Sequence, residues 1–430
     1  MKRITTNFGE PLSVQSKKLV SEVRLKITQP IHPNFDTDFN IYRFILNAER
    51  MHKKQSEVVD AAAKALNNHL KIRKAMKLDS LPHLPFEDNP VFAKKLLPMG
   101  KVQNLTDSSN RLLWYAEYAT INVEALSRSI PSSQSIRCQF IQFEHILRLV
   151  NAQEEKTGRL SGVRHIVDMT GYEINPFTML FVSNGALTYY TQLFHYENYP
   201  EMVFPIEMVN IAKWIHVPYK IARAIMPAGF SERFRLHDSN FLSTLQKEIN
   251  IRNIPATLGG KNESIICLPA EKPDFSNDQV DLEFLSSLES FHISRKKAKQ
   301  FHIDVTDAGK VISWYYTTEC EAFFGVFYEP FDVIPQGNMI INGSKQEKEV
   351  NIGELEMIYP FFKMAAKNKH ESGSVECTKP GRYWFVFRDE SSWLQKEIRI
   401  TMQLSDGSQT RRYHIDGTYS LAKPFKIFEM

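Results

Sequence analysis

The chain has 430 residues, of which 43% are hydrophobic and 24% charged, with a formal net charge of +4. That length exceeds what one hydrophobic core supports, so two or three domains are expected. A charge this near to balance excludes a diffuse nucleic-acid footprint and leaves only local basic patches to consider.

The cysteines Cys138, Cys267, Cys320 and Cys377 are far apart and form no C-x-x-C pair, which argues against a zinc site or a disulfide framework. Met1 to Asn7 lacks the apolar core of a secretion signal, and no apolar run approaches the ~20 residues that span a bilayer. A cytoplasmic setting is the expectation.

Residues 1–90 read as a helical unit. Leu19, Val20, Val23 and Ile27 recur at helical spacing, as do Val59, Ala62, Ala63, Leu66 and Leu70. Asp79 to Pro90 is rich in proline and turn residues and reads as a linker. From about residue 105 to 262, strands alternate with helices, which predicts an α/β domain whose mixed, partly parallel sheet is covered by helices. Leu112, Trp114, Ala116 and Tyr118 alternate as a strand, Phe140, Phe143, Leu147 and Val150 return to helical spacing, and Val163 to Asp168 is a short strand. Pro176 opens a long apolar helix to Phe194, and a buried strand follows at Val203 to Ile211.

Residues 263–287 form a polar, proline-bearing linker, after which helical periodicity disappears. Phe301, Ile303 and Val305 alternate, as do Val311, Ser313 and Tyr315. Tyr383 to Phe387 and Ile398 to Met402 are two more strands, with turn signals at Ala308-Gly309, Asn342-Gly343 and Pro380-Gly381. Residues 288–430 are therefore expected to form an all-β antiparallel sandwich, filled by aromatics such as Trp314, Trp384 and Trp393.

Catalytic machinery is not legible. There is no G-x-S-x-G elbow, no G-x-G-x-x-G after a strand, and Gly259-Gly260-Lys261 lacks the earlier glycine of a P-loop. Asp36-Thr37-Asp38-Phe39-Asn40 imitates the start of a calcium loop but lacks its glycine and its bidentate glutamate. His165 on a buried strand and His145 on an apolar helix have no sequence-evident partners and read as core histidines. The expectation is a protein that is not an enzyme and uses no cofactor or metal.

One stretch remains, His195 to Gly260. Its Glu197-Asn198-Tyr199-Pro200-Glu201, Val209-Asn210-Ile211-Ala212-Lys213 and Ile254-Pro255-Ala256-Thr257-Leu258-Gly259-Gly260 resemble the CRAL-TRIO lipid-binding fold, the family of yeast phosphatidylinositol/phosphatidylcholine transfer proteins and tocopherol-associated proteins. Asn34 to Leu46 looks like that family's N-terminal helical unit. Ile293-Ser294-Arg295, Phe324-Gly325-Val326-Phe327 and Cys377 to Tyr383 make the C-terminal third similar to the GOLD β-sandwich.

The resemblance implies a pocket for one hydrophobic lipid, closed by a gate at residues 214–236. Val163, His165, Val167, Val209, Ile211, Ile221, Ile225, Met226, Phe230 and Phe234 are its expected pocket and gate positions. Glu201 and Arg233 fall where the family holds a lipid headgroup, with Arg233 in place of a lysine, and Val163 and His165 stand where hydroxyls hold a phosphocholine. Between Lys213 and Arg235 five basic residues face one acid, Glu232, and Lys213, Lys220 and Arg223 are expected to dock on a transient anionic membrane surface.

The expected function is thus binding and transfer or sensing of one lipid, a phosphoinositide, another phospholipid or an isoprenoid, by a cytoplasmic, peripherally membrane-associated protein. The GOLD-like domain would dock to proteins or membranes. The alternative is a GOLD-mediated scaffold in signalling or vesicle trafficking with a vestigial pocket; no nucleic-acid partner is expected in either case.

Overall fold

The computed structural model describes residues 6–82, 86–89, 93–172, 197–211, 219–220, 231–272, 281–319, 321–333, 350–390 and 395–425. It divides into two compact units. The first holds residues 1–122, 138–175 and 191–272, and the second holds 123–137, 176–190 and 273–430.

The first unit opens with α1 (Val14–Arg24), α2 (Asp38–Met51) and α3 (Gln55–Met76). Each begins where the local chemistry permits. Ser13 accepts a hydrogen bond from the Ser16 amide at the start of α1, and Thr37 accepts from the Asn40 amide at the start of α2, satisfying donors that a helix leaves unpaired. Buried stripes of Leu19, Val20 and Val23, of Ile41, Phe44, Ile45 and Ala48, and of Val59, Ala62, Ala63 and Leu66 pack these helices together. The apparent calcium loop is the entry to α2, where Asp36 and Asp38 pair with Arg24 at 2.5 and 2.9 Å.

A sheet follows, made of β1 (Val102–Thr106), β2 (Leu112–Glu117), β3 (Val163–Asp168), β4 (Val203–Val209) and β5 (Phe234–Leu236), paired in that order. β1 runs antiparallel to β2 and the remaining pairs are parallel, so the sheet is mixed, as expected. Two helices, the short α4 (Val123–Ser129) and the long α5 (Ser132–Thr157), lie between β2 and β3 in the chain.

Register assigns the two faces, because successive strand residues point to opposite sides. Trp114 pairs with His165, Ala116 with Val167, His165 with Ile206, and Ile206 with Phe234, which places these side chains on one face. Leu113, Tyr115, Ile166 and Val209 occupy the other face and form a buried cluster with Phe241, Leu245, Ile249, Ile254, Leu258 and Ile265. The returning segment thus seals that face, beginning with α6 (Phe241–Leu245). It ends at Gly259, with φ +80, and Gly260, where an added Cβ would lie 2.0 Å from the Ile254 carbonyl oxygen.

The second unit contains α7 (Leu282–Ser286) and the strands β6 (Glu289–Ile293), β7 (Ala298–Val305), β8 (Lys310–Thr318), β9 (Ala322–Glu329), β10 (Glu356–Met364), β11 (Glu371–Cys377), β12 (Gly381–Arg388), β13 (Lys396–Ser405), β14 (Thr410–Tyr413) and β15 (Tyr419–Leu421). One sheet has the order β10-β9-β12-β7 and the other β11-β8-β13-β14-β15, with β6 also on β13, and every pair is antiparallel. Aromatic rings join the sheets face to face: Trp314 lies 5.5 Å from Phe324 and 5.8 Å from Phe385, and Tyr316 lies 5.2 Å from Phe387. Trp314 and Trp384 are core residues, as their alternation predicts, whereas Trp393 lies outside the described residues.

This unit also claims the start of α5. Buried Glu371 accepts hydrogen bonds from the Ser132 hydroxyl at 2.5 Å and the Ser133 amide at 3.0 Å, and the Ser132 hydroxyl accepts from the Ala365 amide at 3.0 Å.

Candidate functional site

Asn198-Tyr199-Pro200-Glu201 immediately precedes β4, and each of its polar side chains reaches a different element. Asn198 meets His69 of α3 at 3.2 Å, and the Tyr199 hydroxyl donates to Glu144 of α5 at 2.5 Å. Glu201 pairs with Arg233 at 3.0 Å and with Arg50 of α2 at 2.8 Å. Asn198, Tyr199 and Glu201 are all buried, so each contact is made where water cannot compete. Glu201 has φ +55, a left-handed conformation that a non-glycine residue holds only under local constraint.

Around this motif the charges are matched. Arg73 of α3 bonds to Glu144 at 2.6 Å and to Asp79 at 2.5 Å. Arg43 of α2 pairs with Glu154 of α5. His69 packs among Phe35, Phe44 and Tyr199, and burial, aided by the charge of Arg73, drives its pKa well below the ordinary histidine value.

The sealed face of the sheet carries a second charged group. Arg164 of β3 bonds to Glu207 of β4 at 2.6 Å and to Glu248 at 2.5 Å, and His237 and Arg235 reach Glu207 at 2.6 and 3.2 Å. Burial alone would raise the Glu207 carboxyl, but the His237 hydrogen bond and the arginines outweigh it and hold it below the usual range. β5 is thereby tied to the centre of the sheet by charge as well as by its short ladder.

The opposite face is apolar with one exception. Leu112, Ala116, Val163, Val167 and Ile206 are buried there, and among them lies His165, stacked on Trp114 at 3.8 Å with 7° between ring planes. Neither ring nitrogen of His165 has a hydrogen-bond partner among the described residues. The edge of Tyr118 approaches at 6.4 Å, and burial pushes that phenol up to about 12. Burial also drives the His165 imidazole down to about 3.

Of the expected pocket positions, the structure gathers Val163, His165, Val167 and the half-buried Phe234 on this face. Val209 is on the sealed face instead, because Met208 and Val209 are adjacent in a strand and must point oppositely. Ile211 is buried just beyond β4. Lys220 is exposed in a helical turn. Ile221, Ile225, Met226, Phe230, Lys213 and Arg223 lie outside the described residues, as does most of the expected gate. Glu201 and Arg233 do meet, but each is the other's partner. Sequence reasoning missed Arg50, Arg164 and Glu207, although a charge inside a strand read as buried demands an opposite charge nearby.

Residues 101–260 match the CRAL/TRIO domain, and residues 12–81 match a domain of unknown function (DUF8435). The C-terminal strands lie outside both ranges. The chain is 22% identical over 398 residues to the CRAL-TRIO domain-containing protein F28H7.8 of Caenorhabditis elegans, covering 90% of each. It is 22% identical over 368 residues to Protein ctg-1 of the same organism, covering 81% of this chain and 88% of the relative. The crystal structure of Sfh5 superposes with a TM-score of 0.36 at 12% identity, over 53% of this chain and 78% of that one, a likeness too slight to carry an argument. No described helix is long and apolar enough to cross a membrane.

Proposed function

We propose that this chain, whose residues 101–260 form a CRAL/TRIO domain, binds a single hydrophobic lipid and transfers or presents it. The observation that carries this reading is the asymmetry of the sheet. One face is sealed by its own cluster from Leu113 to Ile265. The other is lined by the buried side chains of Leu112, Ala116, Val163, Val167 and Ile206 around His165, whose ring nitrogens have no partner among the described residues. Removing lipid surface from water against such a face supplies roughly 25 cal/mol per Å², which favours long apolar cargo.

Glu201 and Arg233, expected as headgroup contacts, pair with one another, and Arg50 is shared between Glu201 and Glu232. That arrangement supports fastening of β5 to α2 over contact with cargo. Exposed Lys220 would meet an anionic membrane surface, and the C-terminal sandwich, as a GOLD-like module, would dock to a protein or membrane partner.

The test is lipid retention and exchange. Native mass spectrometry of the full chain purified from a eukaryotic cell should show one bound lipid, and the protein should move a labelled lipid between vesicles. Neither retention nor transfer at any vesicle composition would refute the reading.

A further inference from the structure

The core face of one sheet of the second unit runs on to an exposed edge. Paired residues on neighbouring strands share a face. Register strings Trp314, Met402, Tyr413 and Tyr419 into one row across β8, β13, β14 and β15, with Ile312, Leu404, Arg411 and Leu421 as the row beside it. Burial falls along both rows. Trp314, Met402, Ile312 and Leu404 are core residues, Tyr413 and Arg411 are half-buried, and Tyr419 and Leu421 are 58% and 76% exposed. The Tyr419 ring is held there by Tyr413, 5.6 Å away, and by the Arg411 guanidinium, 5.1 Å from its centroid.

The backbone of this edge is also on offer. The His414 amide donates to the Thr418 carbonyl at 2.9 Å, and the Ala422 amide donates to the Thr410 carbonyl at 3.0 Å. Bonded and unbonded pairs alternate in an antiparallel ladder, so Arg412 and Ser420 are the bonded pair between them. The N–H and C=O groups of Tyr419 and Leu421 therefore point away from β14, and no strand among the described residues takes them up. Two cations flank the same edge without a carboxylate. Arg411 and Lys423 form no ion pair among the described residues, whereas Arg412 lies 3.8 Å from Glu289.

We propose that β15 is a docking edge for an extended, acidic segment of a partner protein, which adds to the sheet as a further strand. This deepens, and rests on, the docking role given to the sandwich above. Main-chain bonds to Tyr419 and Leu421 supply the hold. Apolar side chains of the segment cover Tyr419 and Leu421, and its carboxylates meet Arg411 and Lys423. A second copy of β15 would set these cations against their own kind, which is unfavourable across paired strands.

Model peptides test this on the full chain. Blocked peptides of about eight residues, alternating valine with glutamate and carrying one phenylalanine, are compared by fluorescence anisotropy with the same sequence bearing lysine for glutamate. A third version is N-methylated throughout, which removes its backbone donors. The glutamate peptide should bind roughly tenfold tighter than either control, or better. Leu421→Pro removes one outward donor and spares the ladder to β14, so it should weaken that binding by roughly tenfold with the melting temperature unchanged. Arg411→Glu should weaken it too and shift the preference toward the lysine peptide.

No binding of any peptide or vesicle by the natural protein overturns both this proposal and the docking role it rests on. Binding that survives Leu421→Pro and Arg411→Glu overturns the β15 edge while leaving docking elsewhere on the sandwich intact. Equal binding of the glutamate and lysine peptides overturns the acidic class of partner. A dimer that Leu421→Pro dissociates assigns the edge to a second copy, and capture of phosphatidylserine vesicles with no peptide bound assigns it to a membrane; either overturns the proposal. Should the Pro variant fail to fold, the N-methylated peptide and Arg411→Glu still decide.

Discussion

Glu201 and Arg233, 32 residues apart in the chain, form a buried ion pair at 3.0 Å immediately before β4 and β5 respectively. Arg50 shares the same carboxylate from α2, so one side chain joins three elements.

Removing that carboxylate leaves two guanidinium groups without their buried counter-charge. Glu201→Ala should therefore destabilise the first unit by about 3 to 5 kcal/mol. Replacing Glu201 and Arg233 together by apolar residues should cost less than the sum of the single changes, because the double change leaves no buried Arg233 charge behind and Arg50 keeps its contact with Glu232. Chemical denaturation of the four proteins checks this, and additive losses would contradict it.

Acid should weaken the fold through its buried histidines. His165 has a pKa of about 3 when folded, against about 6.5 when unfolded, so the unfolded state binds the extra proton between those values. Stability is fully present above the unfolded pKa and falls with pH toward the folded one, by about 1.4 kcal/mol per pH unit for one such group. His69 acts in the same direction. His165→Phe should make the loss between pH 6 and pH 4 shallower by roughly that slope. Denaturation midpoints along the pH series would show it, and an unchanged slope would mean that His165 protonates freely in the fold.

The terminal turn of the first unit depends on a missing side chain. A Cβ on Gly260 would press on the Ile254 carbonyl, so Gly260→Ala should cost at least about 2 kcal/mol through backbone displacement. A melting temperature within a degree or two of the natural protein's would refute the close approach.

Elements with a strong period were readable from sequence. The stretch Val163 to Asp168 is β3 as expected, Leu112 to Ala116 falls in β2, and Tyr383 to Phe387 falls in β12. Apolar alternation reports burial directly, and these strands are buried. What stayed hidden is pairing across distance. Arg43 and Glu154 are 111 residues apart, and Arg164 and Glu207 are 43 apart, so no local pattern links them. The face that Val209 takes is hidden for a different reason. The run from Val203 to Ile211 is apolar on both sides of the strand, so hydrophobicity carries no parity there, and only register against β3 tells one side from the other. The burial of His165 is legible from its strand, but the lack of partners for its nitrogens among the described residues is not.

Glu371 offers a sharper test of the second unit. It is wholly buried, and burial raises its carboxyl above the usual range even though the Ser132 and Ser133 hydrogen bonds oppose the shift. A group whose folded pKa is raised favours folding more as pH falls into its titration range. Glu371→Gln, uncharged and still an acceptor, should thus be nearly neutral at pH 7, whereas Glu371→Ala should cost about 1 to 3 kcal/mol by stripping acceptors from Ser132 and Ser133. Equal losses in the two variants, measured by thermal unfolding, would contradict this.

The contact between Glu371 and Ser132 also fixes where the chain can be cut. The second unit is not one contiguous length of polypeptide: it draws residues 123–137 from between β2 and β3 and the rest from residue 273 onward, with 176–190 between. A gene fragment beginning near residue 273 would encode every strand of the sandwich yet lack the serines that Glu371 binds. One ending there would leave the first turn of α5 without its acceptor. Recombination at that boundary is therefore penalised at both ends, and the two halves are expected to be inherited, expressed and lost together.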